Sequence, residues 1–175
     1  MKNQSFLNKL FTFIAAISGC IWLGAYVTRM IISYQLFDID MKIASYINLN
    51  NLESILKIIS PSINTTFVLF ITFIIAFTIF LFTSNIKLKE NGWMFITVII
   101  IYPTLPFEGY LMILDFKIIS ALSLNDIVNS DYVISLIRER FTSLGSFPII
   151  ILLSYCSLIY FLISKPFISH QLNDN

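Results

Sequence analysis

Trp93–Lys117, WMFITVIIIYPTLPFEGYLMILDFK, decides how this chain is read. It opens on an aromatic residue and runs apolar for three turns. It then meets Pro103, Pro106 and a carboxylate, Glu108, before apolar sequence resumes to Leu114. A helix rises about 1.5 Å per residue and bilayer hydrocarbon is roughly 30 Å thick. The stretch therefore crosses a membrane only with Glu108 in or near the apolar layer.

The rest of the chain shares this character. Of its 175 residues 57% are apolar and only 12% are charged, with a mean hydropathy of +0.84. A soluble domain carries about 25% charged residues. The excess is grouped into long runs, and roughly 18 or more apolar residues in a row read as a membrane span. Four runs fit, at about 10–34, 62–83, 93–114 and 146–164. The expected fold is an all-α polytopic membrane protein, one domain over residues 1–175. It has four transmembrane helices, with an amphipathic interfacial helix in each long connection (1–2 and 3–4).

In the first connection, Asn50 or Asn51 suits a helix cap. Leu52, Ile55, Leu56 and Ile59 share a face, Glu53 and Lys57 pair across one turn, and Pro61 is expected to end the helix. In the second, Asp131 caps a predicted helix over about Tyr132–Thr142 that ends in Arg138, Glu139 and Arg140. Such stripes suit a helix lying along the interface, or one packed on its own protein.

Ile17-Ser18-Gly19-Cys20 has the look of a lipoprotein processing site, but the sequence beyond Cys20 stays apolar, so an uncleaved first helix is expected. The polar tail Ser169–Asn175 is expected to fray. The two halves also resemble each other. Asp40–Leu52, DMKIASYINLNNL, sits over Asp115–Ile127, DFKIISALSLNDI, with Asp, Lys, Ile, Ser, Leu and Asn in register. A parallel duplication of two spans is one architecture that would produce this.

Four spans place both termini on one side, with Lys2, Lys9, Lys87, Lys89 and Lys165 in short segments there. Basic residues close to span ends weigh most, which favours cytoplasmic termini. A bacterial inner membrane is expected, with an organellar membrane as the other candidate.

Arg29 and Glu108 are each the only strongly ionisable residue of their span, and the first and third spans run the same way. A charge at a helix centre costs about 2.5–3.5 kcal/mol, reduced by pairing or snorkelling. Arg29 and Glu108 are therefore the candidate polar pair, functional or structural, with Pro103 and Pro106 as the candidate helix kink. The alternative places both at the interface, Arg29 snorkelling and Glu108 beside water at the kink. Asp38, Asp40, Asp115 and Asp126 fall on the same side and form either an acidic rim or ordinary wet carboxylates.

The other chemistry-bearing residues are few. Cys20 and Cys156 lie mid-span and read as buried apolar side chains, and His170 is the only histidine. No catalytic residue, cofactor site or metal site is assigned. The net charge of +1 leaves no footprint for nucleic acid. The expected partners are the bilayer and either other membrane-protein subunits or further copies of this chain. The leading functional reading is a non-catalytic accessory or scaffold subunit. A small oligomeric transporter or channel using the Arg29/Glu108 region comes second, and a carboxylate-based membrane hydrolase third.

Overall fold

The computed structural model describes residues 6–84, 86–123 and 129–167. Five helices follow one another: α1 Phe6–Tyr34, α2 Leu49–Thr83, α3 Gly92–Ser123, α4 Ser130–Thr142 and α5 Phe147–Ser164. Among the described residues there is no strand, only an isolated antiparallel bridge between Phe37 and Ile43. Four of the helices, all but α4, are long and apolar enough to cross a membrane.

Cross-helix contacts set the directions. Asn8 reaches Phe80 and Thr83, Gly19 lies against Phe73, and Arg29 meets Thr66, so α1 and α2 are antiparallel. A Cβ on Gly19 would come within 3.0 Å of the Phe73 ring, which is how closely the two helices approach. Thr78 bonds Tyr102 and α3 turns back along α2. Thr104 bonds Tyr155, and Phe107 meets Phe147, so α5 turns back along α3. The start of α1, the α2–α3 turn and the end of α5 therefore share one end of the bundle. There the Gly92 N–H donates to the Phe167 carbonyl at 3.0 Å, and the Lys165 ammonium lies over the Trp93 ring.

The buried face of α1 recurs every three or four residues, through Ala15, Ser18, Trp22, Tyr26, Arg29 and Ser33. This is the period of one helix face. The same period in α2 runs from Leu52 through Leu56, Ile59 and Ile63 to Thr66, Phe70, Phe73, Phe77 and Phe80.

Pro61 lies inside that run and does not end a helix. The predicted interfacial helix and the predicted second span are one rod of 35 residues, about 52 Å long. Proline removes one backbone donor, but it is tolerated where packing holds the helix together, and here the buried stripe passes Pro61 without losing phase. The rod starts at Asn48, whose side chain accepts from the Asn50 N–H. Helix α3 likewise runs nine residues past Leu114, through Pro103 and Pro106, both of which face outward. The Thr104 hydroxyl donates to the carbonyls of Ile100 and Ile101 in that region.

Because the long helices outrun α5, whose 18 residues cover about 27 Å, the interior divides in two. One core is aromatic and central, with Trp22, Phe70, Phe73, Phe77, Trp93 and Tyr155. The other is aliphatic and caps one end, with Leu56, Ile63, Leu114, Ile118, Val133 and Ile137. The cap combines the start of α2, the end of α3, α4 and the loop after α1.

The two similar segments of sequence do not form equivalent elements. Asp40–Ile47 is turn and loop, whereas Asp115–Ser123 is helix. The cysteines also differ from expectation, since Cys20 and Cys156 face outward as free thiols. Asp126 and the tail from residue 168, with His170, lie outside the described residues.

Candidate functional site

At the seam between the two cores, four helices converge on one carboxylate. Asp115 extends from α3 and is almost fully buried. Arg29 of α1 grips it in a two-pronged pair, Nη1 donating to Oδ2 at 2.9 Å and Nη2 donating to Oδ1. Arg140 of α4 approaches from another direction, Nε donating to Oδ1 at 2.8 Å and Nη2 to Oδ2 at 3.4 Å. Thr66 of α2 completes the cluster: its hydroxyl accepts from Arg29 Nη1 at 2.8 Å and donates to the carbonyls of Ser62 and Ile63.

Both arginines are buried with the carboxylate, at 5% and 7% exposure. Buried charges are expensive unless paired and hydrogen-bonded, and the forked guanidinium suits a two-oxygen acceptor. For Arg140, burial alone would depress the pKa. The Asp115 carboxylate, which accepts two hydrogen bonds from it, outweighs burial and holds the guanidinium above its ordinary range. The Arg140 guanidinium carbon also stands over the Tyr26 ring, 5.6 Å from its centre.

Arg29 and Glu108 line one small pocket at this cluster, together with Trp22, Tyr26, Asp115 and Arg140. The carboxylate hydrogen-bonded to Arg29 is that of Asp115. Glu108 sits two turns earlier on the same face of α3, 3% exposed, and its Oε1 has no hydrogen-bond partner. The pocket is about the size of one water molecule.

No match to this chain is found among protein-family models, curated proteins or solved structures. The cluster must therefore be interpreted from its own geometry.

Of the acidic rim expected from sequence, Asp38 and Asp40 face water. Asp38 accepts from the backbone N–H groups of Asp40 and Lys42, and Asp40 pairs loosely with Lys42 at 3.7 Å. Asp115 belongs to the interior instead. The sequence reading missed three partners: Asp115, Arg140 and Thr66. One signal was available. Asp115 lies seven residues after Glu108 and four after Leu111, which puts all three on one helix face. Ending the third span at Leu114 concealed it. The stripe of α4 carried a similar signal: Arg140 lies seven residues after Val133 and four after Leu136, on the buried face, whereas Arg138 falls off that face and its guanidinium lies over the Phe37 ring.

Chemically, the arrangement is a clamp. The four guanidinium nitrogens facing Asp115 and Thr66 are committed to them. Among the described residues, no group of His, Cys, Asp and Glu is placed to hold a metal ion.

Proposed function

We propose that this chain is a multi-pass integral membrane protein that serves as a non-catalytic accessory or scaffold subunit, packing against other membrane proteins. Its cluster of charges is a structural clamp. The observation that carries this reading is the grip on Asp115, each of whose oxygens accepts from both Arg29 and Arg140, around a space the size of one water. A substrate site or conduction path needs charged groups aimed at open space, and here the guanidinium forks are aimed at Asp115.

The outward faces support the membrane assignment. Phe13, Ile21, Val68, Ile75, Ile113 and Leu153 are each more than half exposed along the four long helices. A soluble surface rarely shows so much contiguous apolar area. The basic residues support an orientation. Lys9, Lys87, Lys89 and Lys165 lie in short segments at the end where α1 begins and α5 closes, while at the other end Lys42 and Lys57 stand beside Asp40 and Glu53, and Arg29 and Arg140 are bound to Asp115. That supports termini on the cytoplasmic side, as in a bacterial inner membrane.

Purification of the full chain from its own membrane in mild detergent tests the function. A protein partner at fixed stoichiometry, retained through size exclusion and lost on denaturation, is the expected result. A clean homo-oligomer that carries solute across reconstituted vesicles would replace this reading with transport.

A further inference from the structure

The clamp uses three charges, and they do not balance. Arg29 and Arg140 bring two positive charges to the interior and Asp115 brings one negative. Glu108 is the fourth ionisable group lining the same pocket. Ionised, it closes the balance; protonated, it leaves one positive charge in excess.

The two states are stabilised by different things. The fields of Arg140 and Arg29 favour the carboxylate. Burial, the neighbouring Asp115 charge and the missing hydrogen-bond donor at Oε1 favour the neutral acid. Four guanidinium nitrogens nearby are committed to Asp115 and Thr66, and no arginine donor reaches Oε1. Beside Glu108 the Tyr26 hydroxyl is also buried and receives no hydrogen bond of good geometry, although both groups line a space fit for one water.

The geometry points to Glu108 as an internal proton-binding site, served by Tyr26 and a single water in the pocket between them. The exchange is a simple one: Glu108 releases its proton by way of that water to bulk solvent, and the remaining carboxylate is held in the field of the two arginines. Each element packed around it contributes a known neighbour. Tyr26 and Arg29 come from α1, Asp115 from α3 itself, Arg140 from α4 and Tyr155 from α5, while α2 offers the uncharged Thr66. The site stands whether or not the chain has a protein partner.

The test is a titration of the whole protein in mild detergent with its glutamate carboxyl carbons isotopically labelled. The chain has four glutamates: Glu53, Glu90, Glu139 and Glu108. The first three are accessible to solvent and serve as the reference signals. Glu108 is expected to give a separate step that disappears in E108Q and moves its midpoint in Tyr26→Phe. A fourth carboxyl signal that never changes with pH, or one that titrates with the other three, overturns the assignment. An unmoved midpoint in Tyr26→Phe removes Tyr26 from it. If E108Q does not fold, the labelled wild type alone decides.

Discussion

Asp115 is worth more to the fold than its single charge suggests, because two buried guanidiniums depend on it. Removing one member of a buried ionic group leaves its partners charged and unpaired, at about 3–5 kcal/mol. Asp115→Asn is expected to lower the stability of the purified protein by about that much, measured by denaturant titration in mixed micelles. Replacing all three residues together, Arg29→Met, Asp115→Leu and Arg140→Met, is expected to recover most of the loss, since the one acid left in the pocket, Glu108, can stay protonated. If the triple variant is weaker than Asp115→Asn, the cluster contributes more than mutual neutralisation. Sequence made part of this visible. Arg29 stood out because a lone cation in an apolar run needs a partner. Choosing among the carboxylates was harder, because Glu108 and Asp115 are one heptad apart on the same face. Their distances from Arg29 depend on how far α3 extends and how it is staggered against α1, which neither segment states locally.

At the scale of elements, the instructive case is α2. Proline ordinarily stops a helix, and the sequence reading stopped one at Pro61. The longer pattern pointed the other way. Leu52, Leu56, Ile59, Ile63, Thr66 and Phe70 keep one face on both sides of the proline. A true break would have reset that phase. Pro61→Ala is therefore expected to leave the fold intact and to raise its stability, by no more than the roughly 3 kcal/mol that an interior proline costs. Inserting one alanine after Ser60 is expected to be severely destabilising, because it turns everything beyond by about 100°. The same unfolding measurement reads both. Equal effects from the two variants would mean that α2 behaves as two separate helices.

For the whole molecule, the number and placement of long apolar helices were legible, since each run reaches the roughly 18 apolar residues that read as a span. The division into an aromatic core and an aliphatic cap was not. Hydrophobic runs report what is apolar, but the cap is built from the ends of α2 and α3 together with α4, which are distant in sequence. The likeness of the two halves does not extend to local structure: Asp40 and Asp115 open similar strings of residues, yet Asp40–Ile47 is turn and loop and Asp115–Ser123 the end of a long helix. Orientation is testable at this scale. A reporter that works only in the cytoplasm is expected to be active when fused after Asn175 and silent when inserted in the loop near Asp40. The reverse pattern would invert the molecule in its membrane.

The separation of the clamp along the chain has a consequence for biogenesis. Asp115 is made 86 residues after Arg29. At a translation rate of about 5–20 residues per second, that is on the order of 4–17 s. Through that interval the first helix carries an unanswered cation. In the proposed membrane assignment it lingers beside the insertion machinery, or keeps its charged end in the headgroups, until the third helix arrives. Arg140 follows later still, so α4 closes over a pair that has already formed.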